Sequence, residues 1–410
     1  MSDIRPFRGL RARGDLAGRI IAPPYDVVSE DEARAIAGAN PWSFLHITRP
    51  EVGLPVGSDA HAPAAYAMGR RRLDDFRHQG FIVQDPQPCF YLYAQTWRGR
   101  TQVGLMAACS VAEYDNGTIK RHELTRPDKE QDRVDHIEAL DAQTGLVFLA
   151  WRDDKPRVRA AMQLAREIPP AWEVPTEDGV VHALHIVSEP TLVAELQAAF
   201  AEVPALYVAD GHHRSAAASR VSAARGGKGD SDRFLAGIFP DSELEILAYN
   251  RLVADLNGHS PQQLLAAIGQ HFELRHGASP EPARRGLITA YLGGGDWIEL
   301  SPRPGVVPAD PVGSLDVSVL QSRVLAPLLG IDNPRTDARI SFVGGIRGHQ
   351  ALAQAVDSGQ AAIAFHLFPT GMDQLFAVAD AGELMPPKST WFEPKLRGGV
   401  LVHPLQPVKP

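Results

Sequence analysis

Cysteine is scarce in this sequence, since only two of its 410 residues are cysteines. Two cysteines exclude a framework of several disulfides and a zinc site built from four thiolates. A free cysteine usually behaves as a small apolar side chain. We therefore expect Cys89 and Cys109 to be buried in the core.

Long apolar runs and a leader pattern are also missing. No apolar stretch approaches the roughly 20 residues that a membrane-spanning helix needs, and Met1–Pro6 has no basic region followed by an apolar one. The formal net charge of −8 gives no general attraction to nucleic acid or to anionic lipid. These absences predict a cytoplasmic protein with no nucleic-acid or membrane partner.

The residues that are present have the composition of a folded protein, with 44% hydrophobic and 22% charged residues. A chain of this length is expected to contain two or three subdomains. Strand and helix patterns alternate through most of it, which predicts a mixed α/β fold. We place an N-terminal α/β subdomain at 1–115, a central core at 116–255 and a C-terminal α/β subdomain at 256–410.

Apolar periodicity, capping residues and turn residues predict the individual elements. The predicted helices are 29–38, Pro63–Gln79, Asp128–Leu140, Pro156–Glu167, Pro190–Ala201, Ser215–Ala224, Pro261–His271, Pro282–Leu292, Leu315–Leu329 and Arg347–Ser358. The predicted strands are Phe90–Trp97, Gln102–Val111, Gly145–Trp151, His182–Val187, Ala205–Ala209, Phe234–Phe239, Glu245–Val253, Ile340–Val343 and Ala361–Phe365.

The sharpest local pattern is the apolar strand Ala205–Ala209, which runs directly into Asp210-Gly211-His212-His213-Arg214 and then into an alanine-rich helix from Ser215. The first backbone N–H groups of a helix have no partner within the helix and favour an anion. Two imidazoles and a guanidinium add donors at the same point. This strand–turn–helix sequence predicts an anion-binding turn.

Within this turn, Asp210 could cap the helix, hold a cation or act as a base. An alternative interpretation of the whole turn is that Asp210 is only a cap and the histidines lie on the surface. So many donors at a helix N-terminus are electrostatically unfavourable unless something negative binds there. A zinc site is a further alternative, although adjacent histidines rarely ligate one metal together.

A second candidate is the charged segment from Lys120 to Arg133. Charge runs of this kind usually form a solvated helix face with salt bridges. His122, Glu123 and Arg126, however, come before the predicted helix, where they do not decorate a periodic face. Within this segment, Glu123 is the best candidate for a general base.

Two proline-containing segments complete the candidates. Pro386-Pro387-Lys388-Ser389-Thr390 offers one charge and two hydroxyls on a stiff loop, with Lys395 close behind. The glycines of a P-loop are missing, so a plain structural loop remains an alternative. Near the other end, Pro23-Pro24 could present Tyr25 and Asp26 to a cleft or form an ordinary turn.

Together these segments resemble one protein family, the bacterial and archaeal DUF-1015 family of unknown function. The matching segments are Ala22–Val27, His122–Thr125 with Pro127–Arg133, Ala209–Arg214 and Met385–Lys395. The Asp-Gly-His-His-Arg turn is in turn similar to that of archaeal free-serine kinases, which share the fold of ParB-type partition proteins and sulfiredoxins. That resemblance implies a ParB/sulfiredoxin-like central core whose turn binds nucleotide phosphate.

The resemblance implies a kinase that transfers a phosphoryl group from ATP, ADP or pyrophosphate to the hydroxyl of free L-serine or a similar metabolite. Mg²⁺ is the expected cofactor, and Asp210 is its possible ligand. The implied catalytic residues are Glu123, Asp210 and His212. The implied phosphate or nucleotide ligands are Gly211, His213, Arg214, Ser215, Lys388, Ser389 and Thr390, and the implied substrate ligands are Tyr25, Asp26, His122 and Arg126.

Other functions are compatible with the same anion site. A phosphatase or nucleotide hydrolase would use water in place of the acceptor hydroxyl. A non-catalytic nucleotide-binding regulator, or a ParB-like DNA-binding module, would bind without turnover, although the acidic net charge disfavours DNA. The sequence leaves the oligomeric state open.

Overall fold

The computed structural model describes residues 2–405. Contacts divide the chain into two compact units. The first unit contains Met1–Arg121, Thr125–Leu244 and Pro394–Pro410, and the second contains His122–Leu124 and Glu245–Glu393. The second unit is therefore largely a continuous segment between two parts of the first. The division into three consecutive subdomains stays a prediction.

The α-helices of the described residues are numbered in chain order. They are α1 (Ala17–Ile20), α2 (Glu30–Ala39), α3 (Leu45–Thr48), α4 (Pro63–His78), α5 (Val111–Asp115), α6 (Pro127–Leu140), α7 (Pro156–Arg166), α8 (Pro190–Phe200), α9 (His212–Arg225), α10 (Pro261–Ile268), α11 (Asp316–Leu320), α12 (Gly348–Asp357) and α13 (Met372–Asp380).

The strands are numbered in the same way. They are β1 (Ile4–Arg5), β2 (Leu10–Ala12), β3 (Ile82–Gln84), β4 (Phe90–Trp97), β5 (Arg100–Ser110), β6 (Ile119–Lys120), β7 (Ala142–Gln143), β8 (Val147–Trp151), β9 (Trp172–Pro175), β10 (Val181–Val187), β11 (Leu206–Asp210), β12 (Arg233–Pro240), β13 (Glu245–Leu247), β14 (Tyr249–Val253), β15 (Phe272–Arg275), β16 (Ile288–Tyr291), β17 (Trp297–Pro302), β18 (Ile340–Gly344), β19 (Ile363–Leu367), β20 (Trp391–Glu393) and β21 (Leu401–Pro404).

The first unit is built on a large mixed sheet in the order β6-β11-β8-β12-β5-β4-β10-β9, with β1 added beside β5. Its central strands β8 and β12 are buried on both faces, since all five residues of β8 and all eight of β12 are buried. Side chains from the sheet and from α7, α8 and α9 form the main core cluster, which includes Trp151 and Phe200. This core fixes β11, whose carboxyl end carries the candidate site.

A smaller sheet of the first unit has the order β3-β2-β21-β7. Strand β21 joins it between β2 and β7, where Leu10 pairs with Val402 and Gln143 with His403. Residues from the last part of the chain therefore complete a sheet whose other strands come from the first 143 residues.

The second unit has a six-stranded sheet in the order β15-β17-β16-β19-β14-β18 and a two-stranded sheet of β13 and β20. Its main core cluster includes Tyr291, Trp297 and Leu352, which come from two strands and α12. All the pairings within both of its sheets are antiparallel.

The mixed α/β fold class is confirmed, and most of the predicted elements lie within a few residues of an observed helix or strand. The helix predicted at 29–38, for example, is α2, where Ser29 and Glu32 form a capping box. The helix predicted at Pro282–Leu292 is wrong, because Ile288–Tyr291 is strand β16 between β17 and β19. Its β-branched and aromatic residues suit a sheet, and cross-strand pairing outweighed the helical spacing.

Further differences concern helices. Helix α9 begins at His212, three positions before the predicted start at Ser215. Helices α1, α3, α5 and α13 were not predicted. Both cysteines are buried, as expected. Among the described helices, none combines the length and the apolar character that a bilayer crossing demands.

Candidate functional site

The candidate site of the first unit begins where β11 ends at Asp210 and α9 starts at His212. Gly211, between them, has φ +95° and lies in the left-handed region. A Cβ atom at Gly211 would lie 3.2 Å from Nη1 of Arg214 and 3.4 Å from Cα of Val147. Glycine is therefore needed for both the backbone conformation and the close packing.

Asp210 does not cap this helix. The N-cap position is Gly211, and no side chain caps it. Instead, the Nζ atom of Lys395 donates a hydrogen bond to Oδ2 of Asp210 at 3.0 Å. The Asp210 side chain is 31% exposed and that of Lys395 is 17% exposed, so the pair is largely shielded from solvent.

The charge state of Asp210 follows from its surroundings. Burial alone would raise the pKa of this carboxyl group, but the cations of Lys395 and Arg214 outweigh it and hold the pKa below its usual value of 3.8. Asp210 is therefore an ionised carboxylate throughout the neutral range, with a fixed ammonium group beside it.

Arg214 lies differently from the phosphate clamp expected of it. Its guanidinium donates to Oδ2 of Asp26 at 2.8 Å and to the backbone carbonyl of Leu146. A Cβ atom at Gly145 would lie 3.1 Å from Cδ of Arg214, so the arginine passes between Gly145 and Gly211. The guanidinium thus lies beside the N-cap Gly211 and holds the segment that contains Asp26.

Tyr25 lies beside two guanidinium groups. The Cζ atom of Arg133 is 4.0 Å from the centre of the Tyr25 ring, and that of Arg214 is 5.7 Å from it. Burial raises the pKa of the Tyr25 hydroxyl, although the nearby arginines oppose the shift. Tyr25, Asp26 and Arg214 therefore form one contiguous group.

Arg49 holds the backbone of the same segment. Its Nη1 atom donates to the carbonyls of Tyr25 at 3.0 Å and Val28 at 2.9 Å. Glu51, whose side chain is only 4% exposed, pairs with Arg49. The position of Tyr25 and Asp26 is therefore set from both sides, by Arg49 and by Arg214.

His213 and Arg126 are also neighbours. The backbone N–H of Arg126 donates to Nε2 of His213 at 3.1 Å, so this ring nitrogen is an acceptor and carries no proton in that contact. The Arg126 side chain is 64% exposed and pairs with Asp128. The structure thus brings Arg126 to the turn through its backbone, while the predicted ligand role of its side chain stays a prediction.

His212 and Ser215 both lie in the first turn of α9. His212 is buried, and the Ser215 hydroxyl donates to the His212 carbonyl at 3.0 Å within the first turn of α9. Ser215 is itself completely buried. Its hydroxyl therefore stabilises the helix start, which differs from the expected contact to phosphate.

The other predicted site residues belong to the second unit. His122 is buried, and its carbonyl accepts a hydrogen bond from the backbone of Met385 at 2.8 Å. Glu123 lies in the same three-residue segment. A common site of these residues with Asp210 stays a prediction.

The Pro-Pro-Lys-Ser-Thr loop is also in the second unit. Lys388 has φ +57°, in the left-handed region, and its Nζ atom lies 5.6 Å from the centre of the Tyr249 ring. The Ser389 hydroxyl donates to the Pro386 carbonyl at 2.7 Å, while Thr390 is half-buried. Ser389 therefore stiffens the loop, and the phosphate roles of all three residues stay predictions.

Sequence reasoning missed the pairing of Lys395 with Asp210. Buried glutamines in the central strands fix the lysine backbone: Nε2 of Gln95 donates to the Lys395 carbonyl at 2.9 Å, and Gln102 donates to that of Pro394 at 3.3 Å. Gln102 also donates to Oε1 of Gln95 at 2.8 Å. The presence of Gln95 and Gln102 in largely apolar strands was a sequence signal that could have indicated a buried polar contact.

Comparison with known proteins identifies the family of this chain. The family described as "Protein of unknown function (DUF1015)" matches residues 4–318. The chain belongs to the DUF1015 family. Asp210 and Arg214 lie inside the matched part of this DUF1015 protein, whereas Lys395 lies beyond it. Nothing among the curated proteins matches.

Solved structures with a similar chain include a C-terminally truncated SbnI from Staphylococcus aureus, at 12% identity and a TM-score of 0.39, covering 70% of this chain and 82% of that one. A conserved hypothetical protein from Pyrococcus furiosus has 11% identity and a TM-score of 0.34, with coverage of 70% and 90%. A free serine kinase in complex with AMP has 10% identity and a TM-score of 0.36, with coverage of 70% and 86%.

Proposed function

We propose that this DUF1015 protein is a phosphotransferase that moves a phosphoryl group from ATP, ADP or pyrophosphate to the hydroxyl of free L-serine or a similar metabolite. The observation that carries the proposal is the ionised Asp210 carboxylate, held by Lys395 directly before the N-terminus of α9. A fixed carboxylate, an ammonium group and a helix N-terminus are the parts that a phosphoryl-transfer site uses.

The donor phosphate would lie at the turn that Gly211 makes. The first backbone N–H groups of α9 and the ammonium of Lys395 would stabilise its charge, with His212 and His213 beside them. Arg214 would act as a positioning residue, because its guanidinium is engaged with Asp26 and the Leu146 carbonyl. Phosphoryl transfer depends mainly on such positioning and charge stabilisation.

The Asp210 carboxylate is better suited to bind Mg²⁺ than to act as a general base. A carboxylate whose pKa is held below the usual value is a weak base at neutral pH. Mg²⁺ typically takes one or two carboxylates together with substrate phosphates. Asp210 would supply the protein ligand, and the ion would neutralise phosphate charge. Glu123 remains the proposed base and Lys388 the proposed second cation.

A phosphoryl-transfer assay tests the proposal directly. ATP, ADP and pyrophosphate would each be offered with Mg²⁺ to L-serine and to a panel of hydroxylated metabolites. Wild-type protein should form a phosphorylated acceptor, and Lys395→Met and Asp210→Asn should abolish product formation. Lys155→Met is the matched control, because Lys155 also pairs with an aspartate, Asp154, at 3.5 Å.

The same assay separates the alternatives. Release of free phosphate without any phosphorylated acceptor would replace the kinase by a hydrolase that uses the same anion site. Tight nucleotide binding without turnover would identify a binding protein. Equal product formation by wild type and Lys395→Met would refute the assignment of the site.

A further inference from the structure

A pocket of the first unit lies beside Tyr25 and is lined by two arginines, Arg133 and Arg214. Its empty space is about 390 Å³, part of which is open solvent. Four apolar side chains line it, those of Ile137, Val147, Phe234 and Leu235, and the other lining residues are His136, Gln143, Thr144 and Gly145. A small, mostly apolar pocket with two guanidinium groups suits a small anion.

Arg133 is held rigidly before any ligand arrives. Asp132 engages its Nε atom at 2.9 Å and its Nη2 atom at 2.6 Å, and both side chains are about nine-tenths buried. Asp132 is held in turn by the Tyr66 hydroxyl at 2.8 Å and by His61 at 2.7 Å. This pairing uses one edge of the guanidinium, so the other N–H groups remain for an anion.

Arg214 supplies the second guanidinium. Its Nη atoms donate to Asp26 and to the Leu146 carbonyl, but its Nε atom is buried without a hydrogen-bond partner. A buried N–H group that lacks a partner is unfavourable and rare in folded proteins. An acceptor bound in the pocket would satisfy it.

The charge balance favours a carboxylate over a phosphate. Arg133 is already paired with Asp132, and Arg214 with Asp26, so the pocket retains little positive charge. A monoanion matches that balance, whereas a phosphate carries up to twice the charge. The planar fork of arginine also matches the two oxygens of a carboxylate.

We propose that this pocket binds the carboxylate of the acceptor, which makes the acceptor a hydroxy acid. This inference rests on the proposed function only because it identifies the bound molecule as the acceptor of the phosphoryl group. The pocket lies against the Tyr25–Asp26 segment that Arg214 ties to the turn at Gly211. A substrate anchored there by its carboxylate would have its hydroxyl oriented toward the phosphoryl-transfer site.

Binding to the full chain, measured by calorimetry without any phosphoryl donor, tests this inference. The probes are L-serine and serinol, the achiral diol in which a second hydroxymethyl group replaces the carboxylate. L-serine should bind at least about tenfold more tightly than serinol, because charge-assisted bidentate pairs are the strong ones. Arg133→Gln should remove that preference, and Arg225→Gln should retain it. Arg225 is a doubly paired arginine outside the pocket.

A second variant removes no charge and so covers the case in which Arg133→Gln does not fold. Gly145 has no positive φ, and its added Cβ would displace the Arg214 side chain at Cδ. Gly145→Ala should therefore weaken L-serine binding and leave serinol binding unchanged. Gly38→Ala, where a Cβ meets nothing within 4 Å, is the matched control.

Equal affinity for L-serine and serinol would overturn the inference, as would full L-serine binding by both variants. Competition at this pocket by inorganic phosphate, with no L-serine binding, would overturn it in favour of a phosphate site. The two proposals fail separately. Carboxylate-selective binding without phosphoryl transfer would refute only the proposed kinase activity. Equal phosphoryl transfer to both probes would refute only the proposal that the pocket binds a carboxylate.

Discussion

The Nζ atom of Lys395 lies 3.0 Å from Oδ2 of Asp210, although 185 positions separate the two residues in the chain. The contact is within the first unit, which includes both Thr125–Leu244 and Pro394–Pro410. A carboxylate at the end of a strand thus obtains its counter-charge from a segment that follows the entire 245–393 region.

Replacing Lys395 by methionine should lower phosphoryl transfer at least about 100-fold, since loss of one preorganised charge donor typically costs that much. Lys395→Arg should recover part of the activity because it restores the positive charge. Steady-state rates at saturating donor and acceptor measure this effect. If Lys395→Met retains more than half of the wild-type rate, the proposed role of Lys395 is wrong.

Asp210→Asn should reduce stability, because it leaves the Lys395 ammonium group without its carboxylate. The expected loss is about 1 to 3 kcal/mol of unfolding free energy, measured by urea denaturation at pH 7. Asp128→Asn is the control, since Asp128 pairs with Arg126 at an exposed position. An unchanged urea midpoint for Asp210→Asn would show that the buried pair contributes nothing to stability.

The two ends of α9 allow a matched glycine experiment. Gly211 and Gly226 both have positive φ, but a Cβ at Gly226 would meet nothing within 4 Å. Alanine at either position should cost about 1 to 2 kcal/mol of stability from the left-handed backbone. Only Gly211→Ala should also abolish transfer, because its Cβ would press on Arg214 and Val147. Parallel loss of activity in both variants would argue against a special role for the turn.

Buried histidines predict a loss of stability in mild acid. Burial lowers the pKa of His136 and His182 to about 3 and that of His403 to about 4, from the ordinary 6.5. The unfolded chain therefore binds protons that the folded chain does not, so stability is complete above pH 6.5 and falls as the pH drops toward 4. Each histidine should remove about 1.4 kcal/mol per pH unit within that window.

Thermal or urea unfolding between pH 8 and pH 4.5 measures this slope. His182→Gln should flatten it by the share of one histidine, at the expense of some stability at pH 8, because His182 lies 2.7 Å from the Tyr93 hydroxyl. His276→Gln, at an exposed position, is the control. If His182→Gln leaves the slope of stability against pH unchanged, buried histidines are not the cause of the acid sensitivity.

Arg49→Met should loosen the segment that carries Tyr25 and Asp26, because it removes two hydrogen bonds to backbone carbonyls. Amide hydrogen exchange in residues 25–28 should accelerate at least about tenfold. Arg34→Met is the matched control, since Arg34 donates to the Leu54 carbonyl at 2.9 Å. Equal protection of residues 25–28 in both variants would contradict this account.

Local patterns predicted the strand–turn–helix at Asp210 because each part depends on neighbouring residues. The apolar run forms β11, glycine allows the left-handed turn, and alanines form α9. The environment of Arg214 depends on Gly145 and Asp26, which are distant in sequence, so no local pattern revealed it. The helix predicted at 282–292 failed for the same reason, because its partners β17 and β19 decide its structure.

The interruption of the first unit by residues 245–393 has a consequence for the order of events during synthesis. A ribosome completes every strand and helix of the second unit before it makes Lys395 or β21. The second unit can therefore fold early, as domains commonly do while translation proceeds. The first unit must wait with β2 and β7 lacking the strand between them, and closing such a long loop is slow. Chaperones that shield unpaired strand edges should therefore act mainly on the first unit while the chain is still being synthesised.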